Sequence, residues 1–273
     1  MSGIRRLLRL AAILGVSLSL ASVLAATAWA APPERRLRYR ASFLGAWSKA
    51  MCLLLGIRVD VIGEVPGPGN RLVVSNHLGY ADIPVLGSVL PGTFVSKKEV
   101  ARWPLVGFLS NLAGTLFVDR VDRAACRDYV EDLKRRISAG GSVLVFPEGT
   151  STRGDEILPF KAVSFSAVAG THGVSVLPVH IDIVEIESEP AIGVRRDAVC
   201  WHGDAAFVPH LMRLLALRNV RYRIVLGRPI PCGDPDRKRL ARLARERVVS
   251  LGKVSSRRCI PFPGGPLWLS PIP

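Results

Sequence analysis

Hydrophobic and polar positions along this chain fall into two regimes. Residues 10–31 form one uncharged run dominated by Ala, Leu, Val and Ser. About 20 such residues are what a helix needs to cross the apolar core of a bilayer. A second, mostly apolar stretch occupies 41–57. Beyond it, short β-like runs alternate with helix-like stretches. Strands are predicted over 58–62, 72–74, 93–95, 115–118, 142–146, 174–184 and 220–226. Helices are predicted over 83–89, 98–111 with a break near Pro104, 122–138, 160–169 and 207–217. The clearest is 122–138, where Cys126, Val130, Leu133 and Ile137 share one stripe and Gly140-Gly141 ends it. Pro178 inside 174–184 suggests an edge strand or a bulge. The alternation implies an α/β fold, a layered α/β/α domain with a mixed or mostly parallel central sheet over residues 58–233. A helical segment over 1–57 precedes it, and a basic helix with a Pro-rich tail follows over 234–273. That last helix, opened by Asp234-Pro235, carries a thin apolar stripe of Leu240, Leu243 and Val248. It reads as a solvated cap or, more sharply, as a membrane-surface helix. In the tail, Trp268 and Leu269 are placed to touch a bilayer.

Charge sharpens the reading of the N-terminus. The formal net charge is +15 over 273 residues, a surface that attracts polyanions. Arg5, Arg6 and Arg9 precede the first apolar run, and Arg35, Arg36, Arg38 and Arg40 follow it. A basic start, an apolar middle and small residues around Ala28-Trp29-Ala30 also describe a cleavable signal peptide. The retained anchor is the favoured reading. The near-equal flanking charge does not orient a single span. It suits a helical hairpin that dips into one leaflet, with both basic flanks against anionic headgroups. The five cysteines, Cys52, Cys126, Cys200, Cys232 and Cys259, are dispersed and form no C-x-x-C pair. Neither a disulfide framework nor a metal site is expected, and free thiols suit a reducing compartment. No nucleic-acid module and no aromatic-basic interleaving accompany the charge, so nucleic acid is not an expected partner.

Three elements carry candidate chemistry. In Asn76-His77-Leu78-Gly79-Tyr80-Ala81-Asp82, a tight turn at Gly79 folds a carboxylate back onto an imidazole. A carboxylate that fixes the tautomer makes a His a general base, so a hydroxyl can attack a carbonyl without a Ser or Cys nucleophile. In Gly114-Thr115-Leu116-Phe117-Val118-Asp119-Arg120, a strand end delivers an Arg suited to phosphate. In Val145-Phe146-Pro147-Glu148-Gly149-Thr150-Ser151, a buried strand ends in a turn that places Glu148 at the sheet edge where ligands collect. A fourth, Val176-Leu177-Pro178-Val179, shapes a wall. Each alone is also an ordinary feature: a structural His, a surface ion pair, a turn.

Their combination and order, together with Val95-Ser96-Lys97-Lys98-Glu99-Val100 and Trp103-Pro104, resemble the glycerolipid acyltransferase family over residues 60–230, specifically the bacterial 1-acyl-glycerol-3-phosphate acyltransferases. The resemblance implies an acyltransferase domain with an N-terminal membrane-docking helix pair. It implies His77 as general base, Asp82 as its orienting partner, Arg120 on the acceptor phosphate, Glu148, Gly149 and Thr150 at the acceptor pocket, and Lys97 as a second cation. The implied donor is acyl-CoA or acyl-acyl carrier protein, with no metal or bound cofactor. The implied acceptor is lysophosphatidic acid, at the cytoplasmic face of the inner membrane. One departure stands out: Thr150 is followed by Ser151-Thr152, so the Arg expected next to it appears at Arg153. Trp201-His202-Gly203-Asp204 and Pro209-His210-Leu211 resemble a branch that includes lyso-ornithine lipid acyltransferases, which keep the His/Asp chemistry with a different acceptor. A non-catalytic membrane-binding protein is the competing class, and it explains none of the ordered motifs.

Overall fold

A computed structural model describes residues 2–30, 32–67, 69–119 and 122–257. The expected roles of Arg120, Trp268 and Leu269 fall outside these residues. Two long helices open the chain, α1 (Ser2–Ala30) and α2 (Pro33–Leu55). The domain follows as β1 (Ile57–Ile62), β2 (Arg71–Ser75), α3 (Asp82–Val89), β3 (Thr93–Lys97), α4 (Val106–Leu112), β4 (Leu116–Val118), α5 (Arg123–Ser138) and β5 (Ser142–Val145). It is completed by β6 (Ser175–Ile186), β7 (Glu189–Pro190), α6 (Phe207–Leu214), β8 (Val220–Leu226), β9 (Ile230–Pro231) and α7 (Arg237–Arg257).

The sheet order is β1-β8-β6-β2-β5-β3-β4, with β7 and β9 pairing β6. β6, β2, β5, β3 and β4 run parallel, while β8 is antiparallel to β6 and parallel to β1. Every parallel strand therefore delivers its carboxyl end to one edge, where the turns carrying His77 and Glu148 and the strand end at Lys97 collect.

The sheet is mixed because β8, β7 and β9 all pair antiparallel to β6. Its two faces are buried separately. Val73, Leu144, Leu177 and Ile181 face α2, α3 and α6, while Leu72, Val74, Val143 and Val176 face α5 and α7. Successive residues point to opposite faces, so strands covered on both sides need apolar residues at every position. That is why they read as continuous runs.

Three elements differ from the expectation. β6 lies in the middle of the sheet, not at an edge. The Pro178 carbonyl accepts from Gly227 N (2.9 Å), so its nitrogen faces the same side, beyond the last β6–β8 rung at Val179 and Leu226. The proline thus forgoes only the reciprocal bond to Gly227 at the end of the ladder, and the irregularity falls at Ile183/Glu185 instead. Residues 160–169 hold only a short 3-10 turn, Ser164–Ala167, rather than a helix. The basic helix α7 packs Leu240, Ala241, Ala244 and Val248 into the core rather than lying as a solvated cap, and it runs to Arg257.

The helix pair rests on the domain. Arg35, Arg36, Arg38 and Arg40 lie within α2 rather than between helices. Trp47 Nε1 donates to Ser17 Oγ across the pair (2.9 Å). Arg9 donates to the carbonyls of Leu215 (3.1 Å), Leu217 and Arg218 (3.5 Å) beyond α6. Residues Gly3–Thr27 are long and apolar enough to cross a membrane by length and composition, and Ile4, Leu7, Leu8, Leu18 and Val23 are exposed along α1.

Candidate active site

The site begins where β2 ends. The Asn76 side chain extends the β2–β6 pairing past the last backbone rung: Nδ2 donates to Ile181 O (2.9 Å) and Oδ1 accepts from Ile181 N (2.8 Å). The chain then turns at Gly79. A Cβ there would meet the Trp201 backbone nitrogen at 2.8 Å, so only glycine permits the approach. The turn leads into α3, whose first residue is Asp82.

Asp82 is fully buried. Its Oδ2 accepts from Leu78 N (2.6 Å), Gly79 N (3.0 Å) and the His77 ring at Nδ1 (2.8 Å). A carboxylate already accepting two backbone N–H groups fixes the His77 tautomer: Nδ1 carries the proton and Nε2 keeps its lone pair. Nε2 has no hydrogen-bond partner among the described residues. Phe146 stacks on the ring at a centroid distance of 4.0 Å and 13°, leaving it few orientations.

Glu148 completes the frame from β5. It is buried, and its carboxylate spans two segments: Oε1 accepts from His77 N and Oε2 from Leu158 N, both at 2.8 Å. Burial pushes its carboxyl pKa up, opposed by those two N–H bonds. Each oxygen thus accepts one backbone N–H, and the carboxylate ties the His77 turn to the loop at Leu158. Thr152 N donates to His77 O (2.9 Å), Lys161 N to Pro147 O (2.9 Å), and Arg245 of α7 to the carbonyls of Ile157 and Leu158 (both 3.0 Å). The loop 149–161 is thus pinned around His77. Gly149 and the exposed Thr150 open it. Lys97 stands exposed at the carboxyl end of β3, on the same sheet edge but two strands from β2.

On the other side lie Tyr80, Trp201 and Phe207, packed edge to face, with Trp103 against Phe207. Buried His210 sits behind them. Its Nε2 faces the Cys200 carbonyl (3.1 Å), which only accepts, so Nε2 carries the proton and Nδ1 accepts from Tyr80 OH (2.8 Å). Burial pulls the His210 pKa down, consistent with that neutral form.

Residues 57–182 match the family model described as Acyltransferase. Along most of its length the chain is also 37% identical to the lyso-ornithine lipid O-acyltransferase of Pseudomonas aeruginosa, over 260 residues that cover 91% of this chain and 93% of that protein. The chain belongs to the acyltransferase family. It is 34% identical over 209 residues to the lyso-ornithine lipid O-acyltransferase of Rhizobium meliloti, covering 74% of this chain and 72% of that one. It is 32% identical over 180 residues to the 1-acyl-sn-glycerol-3-phosphate acyltransferase of Neisseria gonorrhoeae, covering 66% and 68%. The fold is that of the 1-acyl-sn-glycerophosphate acyltransferase PlsC of Thermotoga maritima. The TM-score is 0.66 at 21% identity, covering 94% of this chain and 99% of that one.

In this acyltransferase, His77, Asp82 and Glu148 form one hydrogen-bonded unit. Burial pushes the Cys200 thiol up to about 12, so it does not compete as a nucleophile. Sequence reasoning assigned no role to Asn76 or Phe146, although both lie inside motifs it singled out. Nor did it place Trp201 N against Leu78 O (2.9 Å), a contact between segments far apart in sequence that no local pattern encodes.

Proposed function

We propose that the chain moves a fatty acyl group from an acyl thioester onto the free hydroxyl of lyso-ornithine lipid at a membrane surface. The observation that carries the reaction is the fixed His77 tautomer, with Nε2 unpartnered and Asp82 behind Nδ1. The acceptor oxygen attacks the thioester carbonyl carbon as Nε2 takes its proton, and Asp82 stabilises the imidazolium. The tetrahedral adduct collapses, the C–S bond breaks, and the departing thiolate receives the proton back. The products are the O-acylated lipid and a free thiol. The donor thiol belongs to coenzyme A or acyl carrier protein. An acidic carrier suits the basic surface, and dispersed free thiols suit the cytoplasmic face of the inner membrane.

The acceptor reading rests on the lyso-ornithine lipid relatives, which align over the greater share of the chain. Lysophosphatidic acid is the second reading, favoured by the Neisseria match. It would draw on Lys97, Arg120, Gly149 and Thr150. An acceptor panel separates the two: detergent-solubilised enzyme is given saturating labelled acyl thioester with each lysolipid in turn. Turnover with lyso-ornithine lipid well above that with lysophosphatidic acid is expected, and the reverse ranking refutes the acceptor reading. His77→Ala should lower kcat by about 10²- to 10⁴-fold on the preferred acceptor. Wild-type turnover by that variant would remove His77 as the base.

A further inference from the structure

Two features of the sequence, the displaced Arg153 and the Trp201-His202-Gly203-Asp204 segment, meet beside the catalytic turn. Thr152 N bonds to His77 O and Trp201 N to Leu78 O, both at 2.9 Å, and Ser151 Oγ donates to Trp201 O. Arg153 and His202 are thus each one residue removed from a backbone bond into the base turn. Between them stands Asp197. Its Oδ1 lies 2.9 Å from Arg153 Nε and 3.0 Å from His202 Nε2. Arg196 secures the cluster from within the fold, donating to Arg153 O (2.9 Å) and Asp182 Oδ1 (3.0 Å). The three side chains are 34%, 36% and 29% exposed for Arg153, Asp197 and His202. Among the described residues, the Arg153 terminal nitrogens and Asp197 Oδ2 have no hydrogen-bond partner.

An open guanidinium fork next to an open carboxylate oxygen matches a zwitterion. We propose that Arg153, Asp197 and His202 form the headgroup subsite of the acceptor and read an amino-acid zwitterion. Arg153 takes the carboxylate in a forked pair, Asp197 Oδ2 takes the ammonium, and His202 holds Asp197 in register. The inference rests on the lyso-ornithine lipid reading and gives it a residue basis. Ornithine amidated at its α-nitrogen keeps one carboxylate and one side-chain ammonium. A phosphate monoester instead carries about −1.5 to −2 charge and would set that charge against Asp197, so the same residue disfavours lysophosphatidic acid.

The test compares Arg153→Gln, Asp197→Asn and the exposed α5 control Asp128→Asn in steady-state kinetics with both acceptors. Removing one charged partner should raise KM for lyso-ornithine lipid about ten- to hundred-fold, more than it changes kcat. Asp197→Asn should also shift the kcat/KM ratio toward lysophosphatidic acid, and Asp128→Asn should keep the wild-type KM. A chemical arm needs no variant to fold. Wild-type enzyme given the acceptor methyl-esterified at its carboxylate should lose as much as Arg153→Gln loses on the native acceptor, and Arg153→Gln should lose little more on the ester. Unchanged KM in both variants, or equal losses on both acceptors, overturns the subsite and leaves the acceptor reading standing. Wild-type turnover of lysophosphatidic acid without lyso-ornithine lipid overturns the acceptor reading itself, and the subsite with it.

Discussion

Asp82→Asn tests the catalytic geometry most directly, because the structure separates its effect on the fold from its effect on the reaction. The three donors at Asp82, from His77, Leu78 and Gly79, all converge on Oδ2, while Oδ1 is buried without a partner. An Asn amide oxygen placed at Oδ2 keeps all three bonds in neutral form, and its NH2 replaces an atom that already lacked a partner. Each bond loses about 1 kcal/mol of charge assistance, offset by no longer burying a carboxylate. Stability should therefore change by no more than about 2 kcal/mol. The reaction loses far more. An imidazolium facing a carboxylate across 2.8 Å gains at most about 6 kcal/mol at an effective dielectric near 20. Partial proton transfer realises a fraction of this, so kcat should fall by about 10²- to 10⁴-fold. Asp82→Ala is a poorer probe. It strands Leu78 N and Gly79 N in the core at about 1–3 kcal/mol each, a large share of a typical stability of about 5–15 kcal/mol. The assay is thiol release at saturating donor and acceptor, paired with thermal unfolding of the same preparation. If Asp82→Asn retained more than about a tenth of kcat with an unchanged unfolding midpoint, the carboxylate would be holding the turn and not the proton.

Three further outcomes follow from the packing. Glu148→Gln leaves one acceptor where His77 N and Leu158 N each need one; it should cost about 1–3 kcal/mol in unfolding experiments and lower kcat by loosening the base. Gly252→Ala would gain about 0.5–1 kcal/mol of helix propensity on an open surface, but its methyl would meet the buried His180 ring at 2.9 Å, so a net loss of about 1–2 kcal/mol is expected in denaturant titration. Burial, opposed by Asp182 and reinforced by Arg196, lowers the His180 pKa to about 4; the unfolded chain takes that proton first, so stability is complete above about pH 6.5 and is lost as pH falls toward 4, by up to about 3 kcal/mol. His180→Gln should flatten that acid limb in a pH series of unfolding midpoints.

What was legible in the sequence follows physical locality. The parallel strands were readable because burial on both faces demands continuous apolar runs, and α5 because one face of a 3.6-residue period meets the core. Its buried stripe centres on Tyr129, Leu133 and Ile137. His77 and Asp82 were readable because one turn joins them. Glu148 was found, but its contacts were not: its partners His77 and Leu158 lie 71 and 10 residues away, and no local pattern encodes that pairing. Residues 160–169 carry apolar spacing like a helix, yet the segment is held by Lys161 N on Pro147 O and by Phe165 and Val168 in the core, so tertiary anchoring sets its path. The α7 stripe looked thin because Ala241 and Ala244 were not counted with it. Small side chains let a helix lie close to a sheet, and their burial is invisible to a count of large apolar residues.

Packing through α3 and α6 joins the two regimes of the chain. α3 is eight residues long, about 12 Å at 1.5 Å per residue. Its first residue is Asp82, which holds the base. Its flank carries α2: Cys52 Sγ contacts Pro84 O (3.5 Å), and Gly87 lies against the buried Ser48. A Cβ at Gly87 would strike the Ser48 hydroxyl, so glycine at that position permits the close approach. α2 in turn carries α1 through Trp47 and Ser17, and Arg9 of α1 ties back to the carbonyls beyond α6. α6 holds the catalytic turn from the other side through His210 and Tyr80. The helix with the exposed apolar face is therefore fastened at two places to elements that position the base. The proposed reaction brings a lipid acceptor and an aqueous thioester to the His77 imidazole, and this fastening fixes the distance between that imidazole and the apolar face.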